Sequence, residues 1–577
     1  MNDQHSDGVF QCEPSVLKKS NRIFIRNAKK DKSGRKNIEN LSSNLTTSLK
    51  MSIPIVTVKQ GKLKGAVIEN ILGSSSYYAF RGIPFATPPV GELRFKDPLP
   101  AEPWTGVKDV SEDVQYYCSQ RQPFSPYDII GNEDCLYLNV YTNSLDQSKP
   151  VMFYVHEGAF ISGTSSFHEM RPDYLLPKDV VVVSSNYRVG AFGFLNLGHR
   201  VAPGNYGVKD LILALEWVRE NISKFGGDPN NVTIFGVSAG SVLVHALLLS
   251  PRADGLFHKA IMQSGVLWCS WCKNENYSVR GFRLAALLGE KSKDPEEVVE
   301  FLRKVPAEDI VKVQSNIVTI EEKFSYSIPF GVSYDETISD DPIMPKSVDE
   351  LLRIRGGDIP VMVSYTADEC ISYVKDKSTE TIQTLNEYMP TYVRSLESLK
   401  KLNEDDFERL YNTIKEQFFE GKPINAKKIR KAIEALTHIF FELPILVMIE
   451  DLVKRTTVSN YVCRFSFVGN EESIFDLIQK RHVSGAAHTD DAPYLIYSPK
   501  YKIYDPNPPV IGTKDRVILE RMTRMWTNFA KTGNPTSIKD EFVNIDWRPV
   551  TLDDLCFLDI NKELKMQPIL PHILSSS

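Results

Sequence analysis

Residues Val232–Ser241 read VTIFGVSAGS, and this stretch constrains the fold more than any other part of the chain. Val232–Phe235 is a short β-branched run without polar alternation, as in a strand buried on both faces. It passes straight into Gly236-Val237-Ser238-Ala239-Gly240, and Ala239–Leu249 then reads as an apolar helix. Glycines on both sides of the serine permit a sharp turn and a close approach of helix to strand. A G-x-S-x-G in this strand–turn–helix setting holds its serine in strained backbone with the hydroxyl exposed. The positive end of the helix faces the same point. A capping serine after a glycine turn is the plain alternative. The strand before Ser238 and the helix after it favour a nucleophile.

The rest of the chain supplies the sheet that such a turn needs. Val151–Val155 and Val180–Ser184 are buried strand runs. Asp210–Lys224 carries Leu211, Leu215, Val218 and Ile222 at helical spacing. The order strand, helix, strand implies a parallel sheet with crossover helices. Ile359–Ser364 and Tyr461–Phe467 read as later strands, residues 380–455 as mostly helical, and Val517–Lys531 as a C-terminal helix. Val56–Lys59 and Leu63–Ile68 alternate like a hairpin around Gln60-Gly61. No repeat or internal linker is visible. The expectation is a single large α/β domain, 53–572, with a mostly parallel central sheet flanked by helices and with helical insertions. Residues 1–52 read as a disordered basic tail, with Lys18, Lys19, Arg22, Arg26, Lys29 and Lys30 among few aromatics.

Composition narrows the classes of function. A net charge of -5 gives no sign of a nucleic-acid or membrane-surface partner. No run of 18 apolar residues occurs, so no transmembrane segment is expected. The N-terminus lacks the apolar core of a signal peptide, which points to a cytoplasmic protein, or to a secreted one if Met1 is not the native start. Eight cysteines in this length are no disulfide scaffold. Cys269 and Cys272 form a CxxC without the second pair of a zinc site or the setting of a redox motif, so they read as packing cysteines.

A serine hydroxyl needs a base to take its proton and a third group to orient that base. In sheets of this kind the chain order is serine, acid, histidine. The downstream histidines are His245, His258, His438, His482, His488 and His572. His245 lies on the elbow helix, His258 follows too closely for a separate loop, and His438 sits in a packed helical stretch. His488 stands in SGAAHTDDAPYL, a small-residue loop that permits close approach, and is the candidate base. Its plain alternative is a loop histidine capped by Asp490 or Asp491. The strand IPVMVS leads to Asp368 and Glu369, either of which would hold the imidazole tautomer; periodicity does not choose between them. His156-Glu157-Gly158-Ala159-Phe160 ends another strand and can aim consecutive N–H groups at a developing oxyanion. Each such donor contributes about 3 kcal/mol. The N–H of Ala239 would be a further donor.

Several segments together resemble the type-B carboxylesterase/cholinesterase family, with insect carboxylesterases most similar. They are FGGDPNNVTIFGVSAG, EDCLYLNVYT at Glu133–Thr142, RGIPFATPPVGELRF at Arg81–Phe95, GNYGVKDLILALEWVRENI and AIMQSG. The resemblance covers about residues 53 to 560 and implies an α/β-hydrolase fold. It implies Ser238 as nucleophile, Glu369 rather than Asp368 as acid, and His488 as base. It implies oxyanion donors at Gly158, Ala159 and Ala239 and a disulfide between Cys118 and Cys135. The implied activity is hydrolysis of a small-molecule carboxylic ester through an acyl-enzyme, with no metal or organic cofactor, by a monomer or dimer. Detoxification or metabolism of hydrophobic esters fits best.

The chain departs from the family pattern at four places. Val237 stands where the family usually has Glu, and Glu157 where it has the first glycine of the oxyanion loop. Leu211 replaces a frequent Gln. The Cys118–Cys135 loop has no Trp, which argues against a choline ester. A juvenile-hormone-type esterase is the first alternative, although those carry Gln where Val237 stands. A slow organophosphate scavenger is the second. A non-catalytic adhesion protein is disfavoured by the complete triad.

Overall fold

The computed structural model describes residues 51–569 apart from 74, 123–124, 273–276, 325, 375, 400–401, 472–480 and 503–504. Of the expected basic tail only Met51 and Ser52 are described. From Ile53 onward the described residues form one contact unit.

Its centre is an eleven-stranded sheet. In chain order the strands are β1 (Ala66–Glu69), β2 (Ser76–Pro84), β3 (Tyr137–Thr142), β4 (Lys149–Val155), β5 (Val181–Ser185), β6 (Gly227–Val237), β7 (Lys259–Gln263), β8 (Val361–Thr366), β9 (Tyr461–Phe465), β10 (Cys556–Ile560) and β11 (Leu564–Pro568). Their spatial order is β11-β10-β9-β8-β7-β6-β4-β5-β3-β2-β1. Strands from β5 through β10 pair in parallel, and antiparallel strands close both flanks. The parallel strands point the same way, so the loops after β4, β6, β8 and β9 gather at one edge.

Alternation within β4 shows how the two faces are filled. Val151, Phe153 and Val155 enter the core that holds α1 (Tyr206–Asn221) and α2 (Ala239–Leu249). Met152 and Tyr154 enter the opposite core, with Met522, Met525 and Trp526 of the C-terminal helix Lys514–Thr532. Helices α3 (Thr379–Arg394) and α4 (Glu404–Phe419) and the stretch Ala426–Val453 form the insertions. Ala426–Val453 is long and apolar enough to cross a membrane, and 78% of its most apolar window is buried in the protein, as in a core helix.

The elbow helix runs over Ala239–Leu249 as its sequence predicts. The expected strand Leu63–Ile68 is instead two strands. Gly61–Lys64 pairs with Ile55–Val58 in a small separate sheet, while Ala66–Glu69 joins the edge of the main one. Gly65 divides them: a Cβ there would lie 2.8 Å from the Ala79 carbonyl oxygen. Only a bare backbone fits that crossing.

Candidate active site

Ser238 occupies the turn between β6 and α2 with φ 56° and ψ -122°, a conformation seldom held by a residue with a side chain. Its N–H donates to the Gln263 carbonyl at 2.8 Å, which ties the turn to the end of β7. A Cβ on Gly240 would fall 2.2 Å from the Val155 carbonyl oxygen and 2.7 Å from that of His156. The first turn of the elbow helix therefore rests on the backbone that opens the oxyanion loop.

The candidate base and acid arrive from the other side of Ser238. His488 Nε2 lies 2.8 Å from Ser238 Oγ, and Nδ1 lies 2.5 Å from Glu369 Oε2. A proton on Nδ1 facing Glu369 leaves Nε2 to accept from the serine. Glu369 is 0% exposed; its Oε1 accepts from the Thr366 N–H at 2.7 Å, and its carbonyl accepts from the His488 N–H at 3.3 Å.

Asp368 points elsewhere. It pairs with Arg430 at 2.6 Å and accepts from the Ala486 N–H at 3.2 Å. Asp490 binds Arg481 and the Ala487 N–H, so it does not cap His488. Asp491 accepts from Gln263 Nε2 at 2.7 Å, and Gln263 Oε1 accepts from Trp526 Nε1 at 3.0 Å. Burial pushes the Asp491 carboxyl up to about 6. This chain of three has no signature in the sequence as a unit; the AIMQSG segment that carries Gln263 is its visible trace.

The loop expected to supply oxyanion donors is shaped by positive φ at Gly158 (118°), Ala159 (53°) and Phe160 (59°). Ile161 and Ser162 both donate to the Gly158 carbonyl at 3.0 Å, which closes the loop on itself. Among the described residues, neither the Gly158 nor the Ala159 N–H has an acceptor. Ala239 begins α2, so its N–H has no intrahelical partner either. Gly158, Ala159 and Ala239 are the residues expected to supply the oxyanion donors.

Glu157 is turned onto Tyr154, whose hydroxyl donates to it at 2.5 Å. Burial raises its carboxyl above the ordinary carboxylate range. His156 stacks on Tyr187 with ring centroids 4.1 Å apart, and burial pushes its imidazole down to about 4. An aromatic wall flanks the base. Phe441 lies 5.2 Å from the His488 ring, Trp271 5.8 Å and Tyr373 6.3 Å from Phe441, centroid to centroid. In the sequence the WCSWC segment stands out for its cysteines, and nothing marks Trp271 as part of a site. Cys269 and Cys272 are buried thiols outside the Cys118–Cys135 disulfide, and burial pushes the Cys269 thiol up to about 12.

Cys118 and Cys135 form a disulfide. Val237 and Leu211 are packed in the core. His245 and His258 each use Nδ1 to accept a backbone N–H, and His438 binds Glu442 at 2.8 Å; none joins Ser238.

The model of the Carboxylesterase family matches residues 52–571. The chain belongs to that family. Esterase FE4 of Myzus persicae is 33% identical over 517 residues, covering 86% of this chain and 87% of the relative. Juvenile hormone esterase of Tribolium castaneum is 33% identical over 523 residues, covering 87% of each. The crystal structure of juvenile hormone esterase from Manduca sexta, with OTFP covalently attached, superposes with a TM-score of 0.77 at 27% identity. The match covers 91% of this chain and 98% of that one. The fold is thus the α/β-hydrolase fold, and the chain is a serine ester hydrolase of the carboxylesterase family.

Proposed function

We propose that Ser238, His488 and Glu369 carry out ester hydrolysis, and that Gly158, Ala159 and Ala239 stabilise the oxyanion. The hydrogen-bonded relay from Ser238 Oγ through His488 to Glu369 carries this reading. As Oγ attacks the ester carbonyl, His488 Nε2 takes its proton, and negative charge develops on the carbonyl oxygen. The three N–H donors meet that charge. Collapse breaks the bond to the alcohol oxygen, which leaves with the proton from Nε2, and the acyl group stays on Ser238. Water then repeats the cycle: its proton goes to Nε2, its oxygen to the acyl carbon, and Ser238 regains its hydrogen. Glu369 stabilises the imidazolium in both steps.

The aromatic wall of Trp271, Tyr373 and Phe441 supports hydrophobic esters of xenobiotic or dietary origin as the substrates. The domain that does this work is assigned to residues 53–572. The Cys118–Cys135 bond favours an oxidising compartment and so supports the secreted alternative over a cytoplasmic one. Pre-steady-state hydrolysis of p-nitrophenyl butyrate tests the reading. A burst of one nitrophenol per protein followed by steady turnover is expected, and Ser238→Ala should abolish both while leaving thermal unfolding unchanged. A variant with wild-type turnover sinks the assignment, and a burst without turnover makes the protein a scavenger. A juvenile-hormone-type esterase is the second reading, favoured by the Manduca sexta and Tribolium castaneum relatives. Comparing kcat/KM for that hormone and for the aryl ester decides between them.

A further inference from the structure

A small pocket of about 40 Å³, partly open to solvent, is lined by neighbours of both the proposed oxyanion donors and the proposed base. Glu157 precedes Gly158, and Thr489 follows His488. Its remaining walls include Tyr154, Pro493, Ile496 and Ser498. Which of its polar groups are already satisfied decides what it can hold.

Glu169 at its edge is saturated: Tyr117 donates at 2.8 Å, Tyr501 at 3.2 Å, and Lys500 pairs with it. Lys502 pairs with Glu471 at 2.7 Å and donates to the Asn507 carbonyl at 2.8 Å. The unspent groups are different in kind. Glu157 takes a side-chain hydrogen bond from Tyr154 on Oε2, while Oε1 has no side-chain donor among the described residues. Thr489 is only 5% exposed, and its hydroxyl has no partner among the described residues. The Ser498 hydroxyl is likewise buried and unpartnered among them. A buried polar atom left unpaired is costly, so the two unpaired hydroxyls beside the Glu157 carboxylate call for a polar guest.

The guest's chemistry follows from what is missing. All three groups can accept hydrogen bonds, and the one unspent charge is negative. An anion would meet Glu157 with both local lysines already engaged. A primary ammonium carries a positive charge and three N–H donors on one atom. The Pro493 and Ile496 side chains suit a short hydrocarbon tail.

We propose that this pocket binds a compact primary alkylammonium ion, its nitrogen held by Glu157, Thr489 and Ser498. None of these three belongs to the Ser238–His488–Glu369 relay, so the site is independent of the hydrolytic reading. Calorimetric titration with n-butylammonium chloride at pH 8, against sodium chloride of equal ionic strength, is the test. Saturable one-to-one binding is expected, weakened at least tenfold in Glu157→Gln and at least threefold in Thr489→Val. n-Butanol should bind more than tenfold more weakly. Ser238→Ala should bind as the wild type does. Absence of saturable heat overturns the proposal, as does affinity within twofold of wild type in either pocket variant, or loss of binding in Ser238→Ala. Should Glu157→Gln fail to fold, the affinity of Thr489→Val decides by the same thresholds.

Discussion

The oxyanion loop and the histidine loop converge on Ser238, but they are held by different means. The oxyanion loop is set by its backbone: three consecutive positive φ angles, a carbonyl that closes the turn, and an elbow helix seated against its first residues. The histidine loop is set by side chains. Asp368 grips the Ala486 N–H and Arg430, Asp490 grips the Ala487 N–H and Arg481, and Asp491 reaches Gln263. A loop held by backbone shape fails when a Cβ is added. A loop held by side chains fails by degrees as partners are removed one at a time.

The sharpest test of the histidine side is its innermost partner. Glu369→Gln preserves shape but removes the charge that fixes the imidazole, and kcat should fall by about 10⁴-fold. A fall below tenfold in steady-state assays would show that His488 is oriented by something else. On the oxyanion side, Gly158→Ala places a Cβ 2.1 Å from the Ser162 carbonyl oxygen at φ 118°. The loop must then distort, and kcat should drop by about 10²–10³-fold, the loss of one donor or more. Wild-type activity in Gly158→Ala would break the contrast outright.

Asp368→Asn keeps an acceptor for Ala486 but loses the ion pair to the half-exposed Arg430. A loss of about 1 kcal/mol in urea unfolding and less than tenfold in kcat is expected. The smallest effect on turnover belongs to Asp491→Asn, within about threefold at pH 8. Its signature lies in stability. The folded protein holds the Asp491 proton more tightly than the unfolded chain, because burial raises the carboxyl to about 6 from its ordinary value. Asp491 therefore contributes stability that is full below about pH 4 and lost as pH rises through about 6. Relative to wild type, Asp491→Asn should gain up to roughly 3 kcal/mol between pH 4 and pH 7. A wild-type-minus-variant difference that does not change with pH would show that Asp491 titrates as an ordinary carboxylate.

The elbow was legible because its strand, turn and helix are contiguous in sequence. The small residues around His488 were legible for the same local reason. Asp368 and Glu369 were not separable from the residues alone. They are adjacent in a tight turn that sends their side chains in different directions, and no periodicity records which one faces the imidazole. The Trp526–Gln263–Asp491 chain joins residues hundreds of positions apart, and the aromatic wall draws on segments equally scattered, so neither leaves a local pattern. Strand β11 mixes polar with apolar residues because it is a partly exposed edge strand, whereas β3 is buried and its polar Asn139 is satisfied by the Gly82 N–H and the Ser165 carbonyl. Gly65 interrupted a strand that read as continuous because a glycine's close approach to β2 leaves no mark on alternation.

The seating of Gly240 on the Val155 and His156 carbonyls reaches beyond the geometry of one turnover. The proposed nucleophile and oxyanion donors are gauged from a common surface with no space for a larger residue between them. Inheritable change in what this enzyme accepts has little room to accumulate there. It has far more in the aromatic wall proposed to face the substrate, where a single side-chain replacement changes the wall while the serine and its proposed donors keep their spacing.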